Sequence, residues 1–110
     1  MELLDPEEKY IAHRLYRDSC ITKGKFYLKD LRIFKNRNIE TIIIVDNSIV
    51  CFSGNLSNGI YVPSYIGQCN DNSLELVVEF LKRIANSENV QKELDKLGLR
   101  NLYKQFLERN

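Results

Sequence analysis

The hydrophobic pattern divides the chain into a first part with strand-like signals and a helical last third. Residues 41–45 read TIIIV, β-branched at every position and apolar at both alternating parities. Strand side chains alternate between two faces, so this segment predicts a strand covered on both sides, as in a parallel sheet. Residues 59–63 (GIYVP) predict a second strand, entered through the turn pair Asn58-Gly59. Residues 13–17 (HRLYR) alternate polar and apolar side chains and predict a short strand, with His13 and Tyr16 at interior positions. Lys23-Gly24-Lys25 marks a turn, residues 26–28 a brief extended piece and residues 29–34 a short helix. Leu3-Leu4 ends a helix or opens a loop, stopped by Asp5-Pro6.

From residue 72 onward the period changes to that of a helix. Asn72 with Glu75 resembles a capping box, followed by Leu74, Val77, Val78, Leu81, Ile84 and Ala85 at helical spacing. Val90, Leu94 and Leu97 form a shorter stripe ending at Gly98, a residue suited to a helix C-terminus. Leu99, Leu102, Tyr103, Phe106 and Leu107 form a third stripe. Core packing is the expected use of such stripes, and a face for a partner is the alternative.

Composition narrows the class. The 110 residues suit one small domain, and 44% apolar content is enough to pack a core. The formal net charge of +1, with acids and bases interspersed, gives no electrostatic footprint for nucleic acid or an anionic membrane. Cys20, Cys51 and Cys69 are widely spaced, and His13 is the single histidine, so no zinc-binding spacing exists. A reducing compartment fits better than an oxidising one. The first residues carry no basic stretch followed by an apolar run, and residues 42–45 are far too short to span a bilayer. The expectation is an intracellular protein, nuclear or cytoplasmic, without membrane or direct nucleic-acid contacts.

Two short segments carry candidate chemistry. Asp46-Asn47-Ser48 follows the TIIIV strand directly. In open α/β sheets ligands gather beyond the carboxyl ends of strands, and a carboxylate and an amide there offer hard oxygens suited to Mg²⁺. The same three residues are also ordinary turn and capping chemistry. Lys29-Asp30 lies upstream, after Tyr27-Leu28. A lysine facing a carboxylate is a natural phosphate ligand, since its ammonium neutralises charge on the transferred group; a solvated lysine is the plain alternative.

Taken together, residues 13–20 (HRLYRDSC), 27–31 (YLKDL) and 43–48 (IIVDNS) resemble consecutive signatures of one family. It is that of the RNA polymerase II C-terminal-domain phosphatases and their NLI-interacting-factor-like relatives, within the haloacid dehalogenase superfamily. The similarity runs from about residue 3 to about residue 84, in order and at matching separations. It implies an α/β fold: a partial Rossmann-like parallel sheet of the haloacid dehalogenase type flanked by helices, lacking the first, nucleophile-bearing strand. It also implies a protein serine/threonine phosphatase acting through an aspartyl-phosphate, with Mg²⁺ as cofactor. By resemblance Lys29 contacts the phosphoryl group and the nucleophile, and Asn47 binds the metal. Asp46 supports Lys29 and the metal's water shell, and Arg17 sits at the mouth of the site to hold a phosphopeptide. Lys29 and Asp46 are thus the catalytic candidates, Arg17 and Lys29 the substrate-binding ones, and Asn47 and Asp46 the metal ones.

The sequence departs from the family where the chemistry is most demanding. The family's two catalytic aspartates lie in a DxDx[TV] motif after its first strand, one attacking phosphorus and the other moving the proton. No DxD occurs in this sequence; Glu2, Asp5, Glu7 and Glu8 follow no apolar strand, and Asp71-Asn72 begins a helix. The residue after Ser48 is Ile49 where the family has proline, and residues 64–71 (SYIGQCND) stand for its aromatic and acidic segment. The expectation is a single domain over residues 1–110. Residues 1–86 form the C-terminal half of a phosphatase-like unit, and residues 87–110 a helical extension. No turnover is expected from it alone. The apolar edge of TIIIV would be open to a separate N-terminal half or to self-association. The competing readings are a non-catalytic pseudophosphatase module that binds phosphopeptide or protein, and a plain α/β domain whose Asp-Asn-Ser is only a turn.

Overall fold

The computed structural model describes residues 4–67 and 71–109. Cys69, and with it part of the 64–71 segment, lies outside the described residues, as do Met1, Glu2 and Leu3.

Among the described residues, four short strands form two separate pairs. β1 (Ile21–Lys23) and β2 (Phe26–Leu28) make an antiparallel hairpin in the register Ile21–Leu28, Thr22–Tyr27 and Lys23–Phe26. Its two-residue loop begins with Gly24 at φ +61, a conformation open to glycine at little cost. The turn and the second strand match the sequence expectation, whereas β1 has no strong apolar signal and was not foreseen. β3 (Ile44–Asp46) and β4 (Gly59–Tyr61) pair in parallel, Ile44 with Gly59 and Asp46 with Tyr61. Between them runs a kinked 3₁₀ segment, Ile49–Asn58.

The parallel pair carries a core cluster on each face, although Val45 of the TIIIV run is exposed. Ile43, Ile60 and Val62 pack on one side with Ile84, Val90 and Leu94, which come from α1 (Ser73–Ile84) and α2 (Val90–Asp95). Ile44 faces the other side, against Ile49, Phe52 and the Leu99 of α3 (Leu99–Arg109). The opposite destinations of Ile43 and Ile44 are the two-residue period of extended chain. Phe52 is fully buried and lies against Gly59, where a Cβ would sit 2.1 Å from the ring.

Several sequence expectations are corrected here. The β3 strand begins at Ile44, because Thr41 belongs to a 3₁₀ turn, Ile39–Thr41. Buried Asn58 explains this: its side-chain amide donates to the carbonyls of Ile39 (2.7 Å) and Ile42 (2.8 Å), and its oxygen accepts from Gln91 at 3.0 Å. Those carbonyls are engaged before any ladder can use them. Asn58-Gly59 is therefore no turn pair: Gly59 has an extended φ of −106 and serves the Phe52 contact. Residues 13–17 form no strand. They run irregularly into a 3₁₀ turn, Arg17–Ser19, with His13 and Tyr16 exposed. The expected helix at 29–34 shrinks to a 3₁₀ turn, Leu31–Ile33, with the Asp30 carboxylate accepting from the Arg32 N–H. Asn72 is the N-cap residue of α1, as expected, but its side chain makes no cap bond; the Ser73 N–H donates instead to Asp71 Oδ1 at 2.8 Å. Leu74 and Val78 of the expected stripe are exposed, and Phe80 takes an inward place instead. α2 ends at Asp95 with Lys96 as its C-cap, so Leu97 of the expected stripe falls outside the helix and is exposed, and Gly98, at φ +73, turns the chain beyond it.

At the N-terminal end, Leu4 is exposed in a turn and Asp5 is buried. The Asp5 carboxylate accepts from the backbone N–H groups of Lys9, Tyr10 and Ile11. These bonds tie down a segment that has no regular structure of its own.

Candidate functional site

The site grows from two chain crossings at the carboxyl end of β3. Lys29 follows β2, and its backbone N–H donates to the Cys51 carbonyl at 2.7 Å, which holds the hairpin against the 49–58 segment. That bond brings the Lys29 side chain over the end of β3. There its Nζ lies 2.5 Å from Asp46 Oδ2. The Asp46 side chain is 6% exposed and that of Lys29 49%. Asp46 is oriented from two sides, since its other oxygen accepts from the Ser48 N–H at 3.0 Å.

This pairing sets the charge state of the lysine. The hydrogen bond to Asp46 raises the Lys29 ammonium above the ordinary lysine value, burial works against the shift, and the Asp46 charge adds to it. Lys29 is therefore a fixed cation over the neutral range. An ammonium has three donors, and Asp46 takes one.

Asn47 completes the rim. Its Nδ2 donates to Ser64 Oγ at 3.1 Å, across from the chain that follows β4. The amide oxygen is thereby turned away from Ser64. Lys29, Asp46 and Asn47 together line a cavity of about 710 Å³. Arg17 is not among the residues lining it; its guanidinium stacks on the Tyr27 ring, 4.9 Å from the centroid. The structure thus brings three of the four sequence candidates into one cavity and sets Arg17 on the hairpin.

Other residues reach the same cavity. Tyr65, Asp71, Leu74 and Glu75 are among its lining residues. Tyr65 and Asp71 lie in the segment already singled out, but Glu75 reads in sequence only as a capping residue. Its place here depends on how the α1 N-terminus crosses the sheet, which no local pattern encodes. Among the described residues no group of three or more histidine, cysteine, aspartate or glutamate side chains is arranged to hold a metal ion. None of their helices is long and apolar enough to cross a membrane.

Lys29, Asp46 and Asn47 thus meet at the carboxyl end of a parallel strand. Comparison with known proteins bears out the family resemblance of the sequence. The family model described as NLI interacting factor-like phosphatase matches residues 1–91. The chain is 38% identical over 106 residues to CTD small phosphatase-like protein 2 of Dictyostelium discoideum, covering 96% of this chain and 18% of that protein. It is 36% identical over 83 residues to CTD small phosphatase-like protein 3 of Caenorhabditis elegans, covering 76% of this chain and 29% of that protein. It is 32% identical over 90 residues to nuclear envelope morphology protein 1 of Saccharomyces cerevisiae, covering 73% of this chain and 20% of that protein. The chain thus spans less than a third of each of these relatives, and within that span it belongs to the NLI interacting factor-like phosphatase family.

Proposed function

We propose that these residues form the phosphoryl- and metal-facing half of a protein serine/threonine phosphatase. The observation that carries this reading is the Lys29–Asp46 pair: a buried carboxylate holds an ammonium that is half open to the cavity. An ammonium so placed neutralises charge on a phosphoryl group. Asp46 orients Lys29 and keeps it charged, while the Asn47 amide oxygen is a hard ligand beside it.

The residues present fit part of a Mg²⁺ shell. Asn47 would contribute one amide oxygen, and Asp46 would support bound water, since both its oxygens already accept a hydrogen bond. Mg²⁺ is bound through one or two carboxylates, waters and substrate phosphate, so a further carboxylate must come from outside these residues. When bound, the ion would supply charge stabilisation for the transferred phosphoryl group. Arg17, if it meets substrate at all, must leave Tyr27 to do so.

A nucleophile is what this chain does not supply. No DxD occurs in its sequence, so these 110 residues are inactive by themselves in this reading. The place for the missing strand is the free edge of β3, which has β4 as its single strand neighbour among the described residues. Along that edge lies a cleft of about 410 Å³ whose lining includes Leu15, Tyr16, Leu31, Phe34 and Ile44. The sheet would then be the remaining part of a Rossmann-like one, residues 1–86 the half-domain and residues 87–110 a helical extension. The setting is intracellular.

The absence of DxD also favours a second reading, a pseudophosphatase module that binds phosphopeptide without turnover. One experiment separates the two. The chain is mixed with a polypeptide carrying an apolar strand that ends in DxDx[TV], Mg²⁺ is added, and phosphate release from a phosphoserine peptide is followed. Release that disappears with Lys29→Ala supports the phosphatase half. Phosphopeptide binding that depends on Lys29 without release supports the binding module. Neither release nor Lys29-dependent binding overturns both.

A further inference from the structure

The net charge of +1 hides an uneven distribution along the chain. Residues 9–37 hold nine of the sixteen Lys and Arg side chains but two of the fifteen Asp and Glu. At the centre of that stretch is the β1–β2 hairpin, where residues 19–29 (SCITKGKFYLK) contain three lysines and no acid. Lys23 and Lys25 are exposed on either side of the Gly24 turn. Neither has an ion pair or a side-chain hydrogen bond among the described residues. Lys25 lies over the Phe26 ring, 5.7 Å from its centroid. Arg17 adds a third cation from its place on Tyr27, in the middle of β2. Of the two acids in the stretch, Asp30 is bound by Arg32 and Asp18 follows Arg17 in the chain, so neither belongs to the turn.

The hairpin joins this charge to the site already described. Its second strand leads directly into Lys29, which lines the cavity. From Lys25 to Lys29 the chain makes four steps, roughly 13 Å at the rise of extended backbone. An extended peptide covers that distance in about four residues. A peptide with its phosphate at Lys29 and its chain along the hairpin therefore carries a nearby side chain to Lys25 and Lys23. A carboxylate suits that place, since it relieves the mutual repulsion of cations that have no acid among them; a basic side chain is repelled there.

We infer that Lys23 and Lys25, backed by the charge of Arg17, form a subsite for an acidic residue within about four positions of the phosphorylated serine or threonine, so that this chain prefers acidic phosphopeptides. The inference rests on the phosphoryl-binding reading of Lys29 and adds the substrate class to it.

The test measures binding, which needs no nucleophile. The full chain is titrated with phosphoserine peptides carrying one glutamate at each flanking position in turn. Matched peptides carry alanine or lysine there, and an unphosphorylated set serves as reference. At one or more positions on one side of the phosphoserine, the glutamate peptide should bind roughly two- to five-fold more tightly than the alanine peptide, the range of one exposed ion pair. The advantage should shrink with added salt. The double change Lys23→Glu and Lys25→Glu should turn it into a preference for lysine. The double change Lys82→Glu and Lys92→Glu, on α1 and α2, alters the net charge equally and should leave it in place. Circular dichroism checks that both variants keep their helices. Equal binding whatever the flanks, or a preference that the hairpin change leaves unmoved or that both changes reduce alike, overturns the subsite and leaves the phosphoryl reading standing. Flank-independent binding together with hairpin-dependent capture by phosphatidylserine vesicles also overturns it, and assigns the lysines to a lipid surface. Phosphorylated peptides that bind no better than unphosphorylated ones overturn the phosphoryl reading, and the subsite with it.

Discussion

Lys29 and Asp46 divide between them two tasks that conflict in a single residue: one stays dry and fixed, the other reaches solvent. Asp46 is buried with both oxygens hydrogen-bonded, so it holds the lysine in place. The pH behaviour follows from the sign of the shift. The folded lysine holds its proton more tightly than the unfolded one, so the pair stabilises the protein below the ordinary lysine value of 10.5. That stabilisation is lost as pH rises through the higher folded value. Phosphopeptide affinity should therefore rise as the phosphate takes its second charge near pH ~6, then stay level until beyond 10.5. Lys29→Met should lower the plateau roughly ten-fold, the lower end for a charged hydrogen bond because the lysine is half exposed. Calorimetric titration across pH measures both, and a Lys29→Met chain with undiminished affinity would remove Lys29 from the site. These two residues were legible through the family resemblance of the segments around them, since a strand end and an upstream lysine alone read equally as a turn and a solvated side chain. The engagement of Arg17 with Tyr27 was not, since a stacking contact leaves no periodic trace.

At the scale of elements, the apolar periods identified α1, α2, α3 and the parallel pair, which meet in two core clusters, although Leu102 and Leu107 of the α3 stripe stay exposed. What they missed turned on single polar groups. Asn58 takes the carbonyls of Ile39 and Ile42 and so delays β3 by three residues relative to the TIIIV pattern. Asn72 holds the N-cap position of α1 but Asp71 takes the Ser73 N–H, and Glu75 lines the cavity instead of closing a capping box. Gly59 shows how the elements interlock: its φ is ordinary, and only the Phe52 ring demands glycine. Gly59→Ala should cost about 1–3 kcal/mol, the usual penalty of overpacking a filled core. Phe52→Leu removes ring atoms from the same spot and leaves a cavity on its own. The double variant should therefore lose less stability than the two single losses added together. Urea melts of the four proteins decide this, and simple additivity would show that the ring and the glycine do not compete for space.

At the scale of the whole molecule, the chain exposes more surface than a compact monomer of its mass. Its accessible area is 8968 Å², against roughly 6,300 Å² for a compact monomer of this size. Its radius of gyration is 15.0 Å, against about 13 Å for a compact domain of this length. Part of that excess lies along the β3 edge, where Leu15, Tyr16, Ile33, Phe34 and Val45 are all exposed around one cleft. The backbone there has a direction. The Asp46 carbonyl accepts from the Val62 N–H on the β4 side, so strand alternation turns the Val45 N–H and carbonyl to the open edge. An added strand should bond to Val45 first. Hydrogen exchange at the Val45 amide should be fast in the chain alone, and Ile44 and Asp46, turned toward β4, should exchange more slowly. A polypeptide that supplies the nucleophile strand should slow Val45 exchange and raise the thermal midpoint together. If self-association fills the edge instead, Val45 protection should grow with protein concentration and need no second polypeptide. If Val45 exchange responds to neither, no strand is added at the open edge, and the proposal that this edge receives the nucleophile strand falls.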